Sequence, residues 1–454
     1  MTTTAAAMGS HVPATRHELI EAGPGGILPP LPRTAWLEID LDALVANIRL
    51  LEGLLPPGVR IEPVVKADAY GHGSVAVSRA LVEAGIRSLG VATFDEALEL
   101  RRAGIGVPVA IHFPIPPELA PDALGYRLTV TAGDRALLGR TLAALSGPEA
   151  RSATRSGDRL AIQLEVETGL GRGGVHPDEV AAAAAAIAAH PRARLAGLWS
   201  HLQAAGDARL TAGQEQRFGI AAGLLEAAGM TLPVRHLAAS GGLLAATAGT
   251  YDVVRVGISQ YGIVPDGLEA AGPNQAVAAG LRPVMSLRAR PVRVAWLEAG
   301  SGVSYGPSFT TSRRSFIATL PLGYADGFPR SLSNRAQVLV RGVRAPQVGT
   351  VAMDAIMVDV TDVPGREVTI DDEFTLIGEQ GGARISALEV AQWGNTISHE
   401  VLAGMSGRLP RVYYAAAIAV GMRAVACDAS GDRREPDYRP GGAAEPGPGQ
   451  PGCE

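Results

Sequence analysis

Lys66 is the only lysine in the chain; the other 39 of its 40 basic residues are arginine. It stands in Pro63-Val-Val-Lys-Ala-Asp-Ala-Tyr-Gly-His-Gly73, at the end of an apolar run that reads as a strand. Arginine stays protonated in proteins and cannot condense with an aldehyde, whereas a lysine amine can lose its proton and do so. Burial disfavours the ammonium, so a lysine at the end of a buried strand suits imine formation and proton transfer. Tyr70 follows four residues on, and Gly71 and Gly73 permit close backbone approach.

Two further segments carry clustered polar groups. Gln163-Leu-Glu-Val-Glu-Thr-Gly-Leu-Gly-Arg-Gly-Gly174 places Glu165 and Arg172 at a strand end and a glycine-rich loop. It also satisfies GxGxxG, but no acidic residue ends the next strand to hold a ribose, which argues against a dinucleotide site. Tyr251-Asp-Val-Val-Arg-Val-Gly-Ile-Ser-Gln-Tyr-Gly262 places Arg255 inside an apolar run followed by Gly257 and Ile258. His201 and Ser240 also fall at predicted strand ends.

The elements that must position these groups alternate. Strands are predicted at 36–39, 60–65, 88–92, 107–112, 160–166, 195–200, 234–237 and 253–256, with helices between several of them. Repeated βα units over 34–280 predict an α/β (β/α)8 barrel, with chemistry at the C-terminal strand ends. From 281 to 426 short alternating runs with Gly, Pro and Asp turns predict a mostly β C-terminal domain. Residues 1–33 and 427–454 read as disordered tails. The chain has 454 residues, 47% hydrophobic and 19% charged, with net charge −5. This excludes a wholly disordered chain and argues against nucleic-acid binding through a basic surface. No membrane segment and no signal peptide are expected, and Cys427 and Cys453 give no metal site. The expected location is cytoplasmic.

From Trp36 to Tyr413 the motifs resemble the alanine racemase family, pyridoxal 5'-phosphate enzymes with a barrel and a C-terminal β domain. The resemblance implies that Lys66 holds the cofactor and is one of two bases. Arg255 would donate to the pyridine nitrogen, with His201 buttressing it. A guanidinium only donates, so it disfavours a protonated ring nitrogen. Tyr70, Ser240, Gly257, Ile258 and His399 would hold the phosphate, and Arg172 the substrate carboxylate.

In Val303-Ser-Tyr-Gly306, Tyr305 would be the second base, reaching into the partner subunit's site. Racemisation needs an acid/base group on each face of Cα, and a phenol needs nearby positive charge for that role, with Arg172 the expected source. Tyr324 and Met353 would complete the partner-supplied pocket. A homodimer, an amino-acid substrate and a role in D-alanine supply for peptidoglycan follow as expectations.

Three positions depart from the family pattern. His399 stands where a Tyr is usual, which opens serine or a broader substrate range. Glu165 stands where many members carry a carbamylated lysine, and is expected to pair directly with Arg172; Glu167 is the two-residue alternative. Ala239 replaces a common Asn. A decarboxylase of similar architecture would bring a partner cysteine, and the chain has none before Cys427. A cofactor carrier would need no second domain.

Overall fold

The computed structural model describes residues 17–23, 26–147, 157–231 and 233–425. The N-terminal half is built on eight parallel strands. These are β3 (Arg60–Pro63), β4 (Leu89–Val91), β5 (Val109–Ile111), β6 (Leu128–Ala132), β7 (Leu160–Glu165), β8 (Ala193–Trp199), β9 (Val234–His236) and β10 (Val253–Val256). Strands β4 to β9 pair in sequence order, and β10 pairs with β3. Parallel bridges Val64–Gly90 and Ala239–Arg255 join the two sets into a ring. All six residues of β7 are buried, as expected where helices cover a parallel sheet whose inner face is packed.

Eight strands were expected here, but one member differs. The segment Ala35–Asp40, β2, does not enter the ring. It lies between β11 (Met285–Ala289) and β19 (Arg411–Ala415) in the twelve-stranded C-terminal sheet. Alternating burial identifies a strand but not the sheet it joins. Asp40 then caps the helix Leu41–Glu52, its Oδ1 accepting from Ala43 N at 2.8 Å. The missing ring member is β6, whose Thr-rich sequence falls within 113–159, where no element was predicted. The 20-residue helix Ala208–Ala227 was likewise not anticipated.

The expected disordered N-terminal tail, 1–33, contains a strand. Residues His17–Glu21 form β1, pairing antiparallel with β20 (Ile418–Val425) at the edge of the large sheet. The remainder of that tail up to residue 16, and the expected C-terminal tail, 427–454, lie outside the described residues. The C-terminal domain is mostly β, with helices Ala387–Gly394 and Ser398–Ala403.

Behind β3 the backbone does something that L residues rarely do. Ala67, Asp68, Ala69 and Tyr70 all have φ between 52° and 55°, a left-handed turn immediately after Lys66. Such residues cost roughly 1–2 kcal/mol each. The turn is fastened at every level. Ala67 N donates to Glu96 Oε1 at 2.7 Å, and Glu96 Oε2 accepts from Ala92 N at 2.8 Å. Asp68 accepts from Ser74 N at 2.9 Å and from both terminal nitrogens of Arg423, one at 2.7 Å. His72 Nδ1 reaches the carbonyls of Ala69 and Tyr70, both at 2.9 Å. Arg411, 1% exposed, donates to the Gly71 carbonyl at 2.9 Å. Arg411 and Arg423 belong to β19 and β20, so the C-terminal sheet holds the turn of the barrel.

Gly71 has φ +80°, and a Cβ there would lie 2.2 Å from the Leu402 carbonyl oxygen. Gly71→Ala is therefore expected to lower unfolding free energy by about 3 kcal/mol in denaturant titration, a sum of left-handed strain and a backbone clash.

Candidate active site

At the C-terminal end of the barrel a cavity of about 450 Å³ is lined by Lys66, Tyr70, Arg172, His201, Ser240, Arg255, Gly257, Ile258 and His399 among others. The sequence-predicted groups of the barrel therefore converge on one place. A larger cavity of about 810 Å³ lies at the junction with the C-terminal domain, near Tyr261, Met285 and Ser386, away from Lys66.

Lys66 is held at the strand end by the left-handed turn. Desolvation pushes its ammonium below the ordinary lysine range, and the charges of Arg172 and Arg255 add to this while Glu96 opposes it. Glu165 Oε1 accepts from Arg172 Nη2 at 3.1 Å, and the guanidinium lies 5.2 Å from the Phe113 ring centre. Burial pushes the Glu165 carboxyl up, against the pull of Arg172. Glu167 turns to the loop instead, accepting from Gly171 N at 3.0 Å.

Arg255 is 3% exposed and richly bonded. Its Nη1 donates to His236 Nδ1 at 2.7 Å and to the His236 carbonyl at 3.0 Å. Its Nη2 reaches the Ser200 carbonyl at 2.7 Å, the Leu237 carbonyl at 3.0 Å and His201 Nδ1 at 3.3 Å. The nearer buttress is thus His236, which sequence reasoning did not single out; His201, expected in that role, is the longer contact. Each imidazole must offer a lone pair to a group that only donates, so both are neutral with the hydrogen on Nε2. Burial pushes both well below the usual histidine range, and the charge of Arg255 pushes the same way. His236 Nε2 then donates to Gln163 Oε1 at 3.1 Å, and Gln163 to Thr131 Oγ1 at 3.0 Å. The Nε–H of Arg255 is the guanidinium donor for which the described residues supply no acceptor.

The far side of the cavity suits an anion in part. Ser240 Oγ accepts from Gly257 N at 3.0 Å and Ser259 N at 3.4 Å, leaving its hydrogen free to donate. The Gly257 N–H, expected to face a phosphate, is thereby engaged by Ser240. A Cβ on Gly257 would lie 2.5 Å from Tyr70 Oη, so the approach of hydroxyl and backbone there requires glycine. Burial raises the Tyr70 phenol to about 12, with Glu96 contributing, so it serves as a donor. The His399 ring centre is 6.1 Å from that of Tyr70.

Three predicted groups are elsewhere. Tyr305, Tyr324 and Met353 are 76%, 43% and 51% exposed on the C-terminal domain, and none lines the Lys66 cavity. Their loops are neighbours: Ser304 Oγ donates to the Thr350 carbonyl at 2.6 Å, and Tyr324 N to the Ala352 carbonyl at 3.0 Å.

Residues 39–265 match the family model "Alanine racemase, N-terminal domain", and residues 284–413 match "Alanine racemase, C-terminal domain". The chain belongs to the alanine racemase family. An alanine racemase of Symbiobacterium thermophilum is 42% identical over 385 residues, 84% of this chain and 97% of that protein. One from Desulfovibrio desulfuricans is 40% identical over 383 residues, 84% of this chain and 98% of its own. Among solved structures, alanine racemase from Bacillus anthracis with bound L-Ala-P superposes with a TM-score of 0.77 at 31% identity, covering 87% of this chain and 98% of that one. The enzyme of Streptomyces coelicolor gives 0.73 at 36% identity, covering 84% and 98%.

Because the folded state depresses the Lys66 pKa, the unfolded chain binds more protons between that depressed value and the ordinary lysine value. Stability must rise with pH through this window. Cofactor-free Lys66→Met is expected to unfold at a higher temperature than cofactor-free wild type at pH 7, with the gap closing as pH approaches about 10.4. Calorimetry of both proteins across pH measures it, and a gap that widens with pH would contradict the depressed lysine.

Proposed function

We propose that this chain is a pyridoxal 5'-phosphate-dependent alanine racemase that works as a homodimer with shared sites. The observation that carries the reading is the cavity itself: its sole lysine, held on a rigid turn, faces a guanidinium with one unclaimed donor. Family membership supplies the reaction class.

The residues fit the cofactor. Lys66 supplies the amine that holds it, the Nε–H of Arg255 suits a pyridine nitrogen, and Ser240, Tyr70, Ile258 and His399 border the phosphate end. When bound, the cofactor withdraws electrons from the substrate Cα and makes its proton removable. The Arg255 guanidinium, which only donates, would disfavour a protonated ring nitrogen and so moderate that withdrawal. Arg172 binds the substrate carboxylate, and Glu165 fixes its orientation with a carboxylate already present, so no carbamylation is needed. The amine of Lys66, its proton weakened by burial, takes or returns hydrogen on one face of Cα. The opposite face of Cα needs a second acid/base group. Tyr305 of a partner subunit fills it, with Tyr324 and Met353 of the same loop cluster closing the pocket; this explains three large side chains left outward in one chain. His399 borders the substrate side-chain space and leaves room for alanine or serine.

No helix of the described residues is long and apolar enough to cross a membrane. A cytoplasmic role in supplying D-alanine for peptidoglycan is part of the same proposal.

The test is chiral chromatography of cofactor-loaded protein incubated with single L-amino acids in heavy water. D-Alanine deuterated at Cα is the expected dominant product. Comparable D-serine would assign the broader range to His399, and His399→Tyr should then narrow it. An intact cofactor adduct with no D-product would sink the racemase reading and favour a carrier. Tyr305→Phe is expected to lower kcat by at least about 100-fold while cofactor binding persists.

A further inference from the structure

Arg255 is a buried cation whose direct partners are all neutral: three carbonyls and two imidazoles. None of the ion pairs among the described residues includes it. A buried guanidinium without a counter-charge is costly, and an attached lone-pair donor does not replace one. The carboxylate of Glu165 is already committed to Arg172.

Glu62 answers this need by position. It is the register partner of Arg255 on the adjacent parallel strand, β3 against β10, so both side chains leave the same face of the sheet at the same level. It is 8% exposed, deep in the barrel. Its Oε1 contacts His112 Nε2 at 3.2 Å, across β4. The room for that contact is made by Gly90 on β4, where a Cβ would lie 2.5 Å from His112 Cε1 and 3.4 Å from Glu62 Oε1. His112 in turn lines the Lys66 cavity and packs on Trp199, with ring centres 5.5 Å apart; the Arg255 guanidinium lies 4.9 Å from that same indole.

We propose that Glu62, pinned by His112 over Gly90, is the counter-charge of Arg255 and thereby a positioning residue for the cofactor-ring donor. It touches neither cofactor nor substrate. It acts by keeping the guanidinium charged and in place, so that the one unclaimed N–H stays directed at the ring. Burial lowers the His112 pKa despite the carboxylate, so the imidazole donates one hydrogen bond without cancelling the Glu62 charge. The other charged groups acting on Glu62 are Arg255 itself and Arg60, at the exposed start of the same strand. This role rests on the cofactor reading only for its effect on the ring; the pairing of charges does not depend on it.

A double-mutant cycle on the cofactor-free protein tests the pairing. Glu62→Gln is expected to lower the thermal midpoint by about 5 °C, since it leaves Arg255 uncompensated. Adding Arg255→Met should then cost much less than the same change costs wild type, so that the two losses are far from additive. Simple addition of the two losses would overturn the proposal. If Glu62→Gln alone does not fold, recovery of folded protein in E62Q R255M supports the pairing, and failure of the double variant overturns it. In cofactor-loaded protein, Glu62→Gln should also lower by about one unit the pH at which the cofactor absorbance changes, because a nearby negative charge is lost. An unchanged midpoint there, with strong coupling in the cycle, would keep the counter-charge but remove its influence on the ring.

Discussion

Four consecutive L residues in the left-handed region are the constraint on which the site depends. They place Lys66 at the mouth of β3 and turn the chain back so that Tyr70 faces the same cavity. At roughly 1–2 kcal/mol each, they would rearrange unless the surroundings over-determined them. The surroundings do so with charge. Asp68, inside the turn, is met by Arg423 and approached by Arg411 at 3.8 Å, both from the last two strands among the described residues. Removing the C-terminal strands would free the turn, so the C-terminal sheet is part of the lysine's support as well as a carrier of outward tyrosines. That is a physical reason for two domains to share one function within a chain.

The second constraint is electrostatic. Lys66 and Arg172 share a confined volume with Arg255, and each positive charge makes the lysine amine easier to deprotonate. The barrel sets against them Glu96 at the turn, Glu165 on Arg172 and Glu62 under Arg255. Each carboxylate is fixed by hydrogen bonds before any ligand arrives. A site arranged this way needs little reorganisation when charge moves within it.

Legibility in the sequence followed the same physics. Lys66 was visible because a chain that otherwise uses only arginine kept one lysine, where arginine's chemistry fails. Arg255 and Ser240 were placed at strand ends by the sequence pattern, and Arg172 was singled out by the family resemblance of its glycine-rich loop. His236 and Glu62 were not, since each sits in a short strand with nothing in its spacing to separate it from a structural polar residue. Their roles arise from register between strands far apart in sequence, which local pattern does not encode. The same limit explains β2, a correct strand assigned to the wrong sheet, and β6, whose threonines hid a buried strand behind a polar reading. The left-handed turn carries no sequence signal at Ala67 or Ala69; only Gly71 and Gly73 hint at unusual backbone.

The exposed tyrosine face completes the logic. Reversal of configuration at Cα requires hydrogen to leave one side and return on the other, and one barrel presents its lysine from one side only. Tyr305, Tyr324 and Met353 lie instead on loops that are hydrogen-bonded neighbours, turned to solvent in one chain. Large side chains so placed are little packed in one chain, and in the proposed dimer a two-fold partner would cover them. A two-sided proton exchange demands an acid/base group on each face of Cα, and in the proposed dimer the second comes from the other chain.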